Sequence, residues 1–183
     1  MPINHIDLSK LYNHTIFENY YFENHLCTEY WKYNVCGVHI VSSVNDISNI
    51  NVDNYLFRHF DNPLHDNIAC EGQTIEIETI MAKKICLLGF CEYGAVNDLL
   101  ELNCEDEPIK KEFVLKTFHT FDFQALNYTE QNAKCKLALK LPASDGQKRN
   151  IYYYVIELDS VKRISTIILP NNPALHILAI TME

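Results

Sequence analysis

The sequence predicts an all-β fold, a two-sheet antiparallel jelly-roll sandwich with little helix, and three observations carry that expectation. From about residue 70 onward the chain is a series of short apolar runs, many alternating with polar residues and separated by turn residues. No amphipathic window longer than two or three helical turns competes with them, and parallel sheets would need such crossovers. The hydrophobic share is 48% of 183 residues, enough for one core and one domain spanning 1–183, with residues 10–60 less regular and loop-rich.

Taken in order, Ile6-Asp7-Leu8 reads as a short strand, Tyr12 to Tyr33 as loop with one helical turn, and Val38-His39-Ile40-Val41 as a strand. Ile75 and Ile77 alternate with Glu76 and Glu78, which places the two carboxylates on one exposed face. Ile85 to Phe90 is a near-continuous apolar run, the pattern of a strand covered on both faces. Leu100, Leu102 and Cys104 alternate with Glu101 and Asn103, Glu105 to Pro108 turns the chain, and Phe113-Val114-Leu115 follows. Cys135, Leu137, Leu139 and Leu141 against Lys136, Ala138 and Lys140 predict a strand of period two with one charged face. Pro142 to Gly146 is a loop, Ile151 to Leu158 and Ile164 to Leu169 are two strands, Pro170 to Pro173 is a turn, and Ile177 to Thr181 closes the chain. Eight strands thus fall in the last 110 residues. Gly72 suits a positive φ where a turn enters a strand, and Gly89 marks a bulge or a close sheet contact.

The net charge of −9 argues against binding to nucleic acid or an anionic membrane. Lys110-Lys111, Lys134/Lys136/Lys140, Lys148-Arg149 and Lys162-Arg163 are short and read as solvated strand edges. No apolar run approaches the ~18 residues of a membrane helix. The first residues lack a secretory pattern, so the expected location is the cytoplasm. Seven cysteines with no CxxC pair read as buried reduced thiols.

Candidate chemistry is sparse. Eight histidines raise the possibility of a jelly-roll metal site, but no H-x-H pair occurs, and His59 and His65 are the nearest pairing across a Pro-containing loop. Isolated surface or core-edge histidines, no metal and no cofactor are therefore expected. Glu76 and Glu78 lack an aromatic platform and are not a glycosidase pair, so no catalytic residue is assigned. Aromatic side chains flanked by amides and carboxylates are the better lead, because flat rings stack on sugar C–H faces while the polar groups bond the hydroxyls. Tyr30, Trp31 and Tyr33 in the irregular segment, with Asp66, Asn67, Glu71 and Gln73, are the candidate ligand-binding residues. Tyr152, Tyr153 and Tyr154 alternate, and Tyr153 faces away from its neighbours to pack across strands.

The order Asp66 to Ile75, Leu87-Leu88-Gly89-Phe90 with Gly94, Tyr152-Tyr153-Tyr154 with Glu157-Leu158-Asp159, Ile168 to Pro173 and His176 to Thr181 resembles a β-sandwich accessory module. Such galactose-binding-like, carbohydrate-binding modules are attached to bacterial glycoside hydrolases of the α-mannosidase and arabinofuranosidase type. Ile6 to Ser9 fits the first strand of that module, and Val35 to Val38 departs from it where more glycine is expected. The resemblance implies a non-catalytic carbohydrate-binding module. The alternatives are a structural module that forms a homodimer or docks on a separately encoded glycosidase, and a small sugar-active enzyme.

Overall fold

The computed structural model describes residues 2–17, 40, 48–62, 64–119 and 133–183. Among these residues are ten strands: β1 (Asn4–Ile6), β2 (Asn49–Val52), β3 (Tyr55–Arg58), β4 (Ile68–Glu71), β5 (Thr74–Cys91), β6 (Ala95–Cys104), β7 (Ile109–Lys116), β8 (Lys136–Pro142), β9 (Lys148–Ile168) and β10 (Asn171–Met182). All strand pairs are antiparallel. The path through the main sheet is β1-β10-β5-β9-β6-β7, with β4 on β10 and β8 on β9, and β2–β3 form a separate hairpin.

The sandwich is made by two long strands that pass through both layers. β5 has 18 residues and β9 has 21, and they pair along their lengths with register shifts between Glu76 and Ile80 and between Ala82 and Lys84. At those shifts the ribbon bends, as strands do when they turn a sandwich corner. One layer contains β1, β4, β10, the second half of β5, the first half of β9 and β8. The other contains the first half of β5, the second half of β9, β6 and β7. Between them lies a hydrocarbon core that includes Ile75, Leu100, Leu102, Phe113 and Ile167 from one layer and Ile85, Leu87, Tyr154, Ile177 and Ile180 from the other.

This ribbon corrects the strand count drawn from the sequence. The runs at Ile75 and Ile85 are one strand, as are those at Ile151 and Ile164, so among the described residues six strands rather than eight lie from residue 74 onward. The charged residues between the runs, such as Lys83 and Asp159 to Arg163, are the mostly solvent-facing bend of the ribbon rather than turns. β8 departs from strict alternation as well. A register shift between Leu137 and Leu139 swaps the faces, leaving Leu137 43% exposed while Ala138, Leu139 and Leu141 pack inward.

The outer face of the first layer is also covered, as the apolar run Ile85 to Phe90 requires. Cys86, Leu88, Phe90, Ile151, Tyr153 and Leu178 meet Ile16, Phe17, Ile40, Ile50, Phe57 and Phe118 there. The cover includes the β2–β3 hairpin, whose two-residue turn places Asp53 and Asn54 at φ 47° and 70°, a primed turn suited to Asp and Asn. Thr181 Oγ1 donates to Leu56 O at 2.9 Å and ties that hairpin to β10. Of the predicted strand around Val38 to Val41, only Ile40 lies within the described residues, where it bridges Phe17 and Ala143. Two glycines are required by geometry. Gly72 turns β4 into β5 at φ +79°, and a Cβ on Gly89 would sit 2.1 Å from the backbone oxygen of His176.

Candidate functional site

β8 leaves β9 after the Lys136–Tyr153 pair, and β6 joins the same edge only from Ile164. Along the intervening edge, facing β7, runs a groove of about 540 Å³. Tyr153 to Glu157 form one side, Lys110, Lys111 and Glu112 another, and Tyr55, Lys134 and Lys136 close the end. A second depression of about 320 Å³ continues it past Lys110 and Lys111 toward Asp159 and Lys162.

The alternation of β9 explains the floor. Tyr154 and Ile156 turn into the hydrocarbon core, whereas Tyr153 turns to the outer face. There Tyr153 donates from its hydroxyl to Asp53 Oδ2 at 2.5 Å, and its ring lies 5.9 Å from that of Tyr55. The Tyr153 hydrogen bond holds the Asp53 carboxyl below its ordinary range, and burial pushes the Tyr153 phenol up. Tyr55 is half-buried, and Lys84 Nζ lies 5.6 Å from its ring centroid. The groove's cations sit among carboxylates: Lys110 with Glu101 at 2.9 Å, Lys111 with Asp159 at 3.4 Å and Lys136 with Asp53 at 3.6 Å. Exposed pairs of this kind contribute about 0–1 kcal/mol each, so a ligand hydroxyl can displace them at little cost. What the groove offers is an aromatic edge and alternating hydrogen-bond donors and acceptors.

The residues singled out in the sequence fall elsewhere. Tyr30, Trp31 and Tyr33 lie outside the described residues. Asp66 and Asn67 are fully buried beneath the N-terminal segment. Ile16 N and Phe17 N donate to the Asp66 carboxyl at 2.9–3.1 Å, and Asn67 Nδ2 donates to it at 2.6 Å. Glu71 and Gln73 flank the Gly72 turn, where Gln73 Oε1 accepts from Glu71 N at 2.8 Å and Gln73 Nε2 donates to Ala69 O at 2.9 Å. Asn13 Nδ2 reaches Glu71 Oε2 at 3.3 Å, which links this turn to the segment over Asp66. The four side chains thus form two polar pairs, Asp66 with Asn67 and Glu71 with Gln73, that hold local backbone and the N-terminal segment.

The Asp66–Asn67 pair also gathers histidines that the sequence presents as isolated. Asn67 Oδ1 lies 3.2 Å from His14 Nδ1 and 2.9 Å from His176 Nδ1. His59 Nε2 donates to Asp66 O at 2.7 Å, and its ring stacks on Tyr12. His176 stacks on Phe90 with centroids 4.6 Å apart, and its Nε2 lies 3.5 Å from Glu92 Oε1. Burial pushes the Asp66 and Glu92 carboxyls up to about 7 and His176 down to about 3. Among the described residues no group of three or more His, Cys, Asp or Glu is arranged to hold a metal ion. Burial likewise pushes the Cys86, Cys91 and Cys135 thiols up to about 12, which keeps them from acting as nucleophiles.

A family model, the AziU2-like β-sandwich domain, matches residues 45–183, from just before β2 to the last residue. The chain belongs to this family. No curated protein matches it. The family match agrees with the β-sandwich part of the resemblance seen in the sequence and carries no link to glycoside hydrolases. β1 and His14 to Phe17 precede the matched region of this AziU2-like domain, yet β1 pairs with β10 and His14 bonds Asn67. Sequence reasoning missed Tyr55, Lys110, Lys111 and Lys136 as a group because they come from three strands, β3, β7 and β8, far apart in the chain. The three lysines did stand out as local excesses at residues 110–111 and 134–136, which read as solvated strand edges, whereas Tyr55 gave no signal.

Proposed function

We propose that this domain is a non-catalytic binding module and that its ligand is a carbohydrate lying in the groove between β7 and the free edge of β9. The observation that carries the reading is the groove itself, with Lys136 and half-buried Tyr55 at one end and Lys110, Lys111, Glu112 and Glu157 along its length. A tyrosine ring covers a sugar's C–H face, and ammonium and carboxylate groups bond its hydroxyls in a site that water can otherwise fill. Its continuation toward Lys162 suits an oligosaccharide better than a single ring. The two carboxyls whose affinity for protons is tuned toward neutrality, Asp66 and Glu92, are not among the residues lining the groove, which favours binding over acid–base chemistry. A glycan array followed by calorimetry tests the proposal. Tyr55→Ala is expected to weaken oligosaccharide binding about tenfold, the scale of one lost ring contact. Uniform absence of binding, or binding indifferent to Tyr55→Ala, overturns it. Trp31→Ala, run in parallel, reports on the sequence's own candidate.

A further inference from the structure

Asn67 Nδ2 is committed to Asp66 Oδ1 at 2.6 Å, so the amide oxygen is the atom that meets both histidine rings. An amide oxygen only accepts, which requires N–H on His176 Nδ1 and leaves a lone pair on His176 Nε2. That Nε2 is fully buried, has no hydrogen-bond partner among the described residues, and faces Glu92 Oε1 at 3.5 Å. A carboxylate there would set two acceptors against each other at a buried ring nitrogen. A carboxylic acid would donate to the ring after a small rotation.

We propose that Glu92, His176, Asn67 and Asp66 form one hydrogen-bonded line holding a single proton on Glu92, and that this proton fastens the segment Asn13 to Phe17 onto the sheet. The direction of the line is set at its far end. Asp66 accepts from Ile16 N, Phe17 N and Asn67 Nδ2, three donors that favour its ionised form, whereas Glu92 faces a lone pair. Burial raises the proton affinity of both carboxyls, and the donors decide which one gives way. When Glu92 loses its proton to solvent at the β5–β6 turn, His176 relieves the repulsion by moving its N–H to Nε2. Asn67 Oδ1 then loses that donor, and the strain passes to Asp66 and the two amides it holds.

Other titratable groups surround this line. His119 faces Glu92 from the segment after β7, with Arg149 and Asp145 beside it. His14 and its neighbour His65 face His176 and Asn67, and His59 with Asp61 lies behind Asp66. Of these, His14, His59 and His119 are each held below the ordinary histidine range, chiefly by burial.

Amide hydrogen exchange of Ile16 and Phe17 in the full chain, corrected for intrinsic rates, tests the idea between about pH 6 and 8. Protection is expected to fall by up to about tenfold per pH unit once Glu92 ionises, as one linked proton allows. Glu92→Gln should flatten that dependence, because its amide donates to His176 Nε2 at every pH. Wild-type protection independent of pH, or the same fall in Glu92→Gln, overturns the proposal. Long-range proton–nitrogen spectra of the wild type give a second readout that needs no variant. His176 carrying its proton on Nδ1 at about pH 6, below the ionisation of Glu92, is expected, and an Nε2–H ring or an imidazolium there overturns it.

Discussion

The layer built on β10, β5 and β9 is buried on both faces, and the two faces are closed by different means. Its inner face meets β6, β7 and the far halves of β5 and β9 through hydrocarbon such as Leu87, Leu102, Phe113 and Ile177. Its outer face is covered by residues 12–17, 40 and the β2–β3 hairpin, and there the apolar contacts of Phe17, Phe57 and Phe90 end at a polar seam of Asp66, Asn67, His14 and His176. The inner face is sheet against sheet, where backbone groups pair within each layer. The N-terminal part of the outer cover is irregular chain, so its buried N–H groups at Ile16 and Phe17 need a side-chain acceptor. Irregular backbone can be buried only if something polar is buried with it.

The position where the faces share one constraint offers the sharpest way to break the comparison. Gly89 lies in β5 with the His176 backbone oxygen 2.1 Å from where a Cβ would stand and Leu115 Cδ1 at 3.1 Å. The first contact is backbone and cannot rotate away. Gly89→Ala is expected to force β5 from β10 and disturb both faces, costing about 4 kcal/mol in urea unfolding. A loss under about 1 kcal/mol would mean that β10 can shift without consequence for either face.

A matched pair of truncations separates the faces. Leu102→Ala removes hydrocarbon from the inner core and should cost about 3 kcal/mol, by the same amount at every pH. Asp66→Ala strips the acceptor from Ile16 N and Phe17 N. Each orphaned donor costs about 1–3 kcal/mol, offset in part by no longer burying a carboxyl, for a net loss of about 2 kcal/mol. Its signature is shape rather than size, since the pH dependence of stability should change with it. Parallel pH curves for both variants would erase the distinction.

The sequence revealed the two faces unequally, for the same reason. The inner core is written in local alternation, as in Leu100/Leu102 and Ile75/Ile77, because a strand repeats its facing every second residue. Continuous burial of Ile85 to Phe90 was legible too, as was the close approach at Gly89. The fusion of neighbouring runs into β5 and β9 was hidden, because a bent ribbon exposes charged residues at its corner as a turn does. The bulge in β8 was hidden because period two looks intact until one residue is counted out of register. The polar seam left no local trace. His14, Asp66, Glu92 and His176 are separated by tens of residues, and only the folded cover brings them together. Asp66 and Asn67 did stand out as polar residues before a strand, but nothing in the sequence distinguishes a carboxylate that greets a ligand from one that holds Ile16 and Phe17. The groove was invisible for the same reason, being assembled from Tyr55, β7, β8 and β9.

The smallest effect concerns the pH of greatest stability, and it tests whether the seam or the hydrocarbon sets it. Asp66 and Glu92 are raised by burial from 3.8 and 4.5 to about 7. The unfolded chain releases the proton that the seam keeps on Glu92 earlier, so its contribution is complete below about pH 4 and is lost as pH rises through about 7. His176, lowered by burial from 6.5 to about 3, and His14, lowered by burial and then by His176, act in the opposite sense. Their contribution is complete above about 6.5 and is lost as pH falls toward the folded values. The two trends oppose each other through the weakly acidic range, and above about 6.5 only the carboxyl trend remains. Thermal unfolding of the wild type should therefore show maximal Tm near pH 6, with a decline by pH 8. Asp66→Asn combined with Glu92→Gln should move that maximum to higher pH, because the histidines alone then govern the curve. A maximum unmoved in the double variant would assign the pH dependence to groups outside the seam and leave the outer face closed, like the inner one, by hydrocarbon alone.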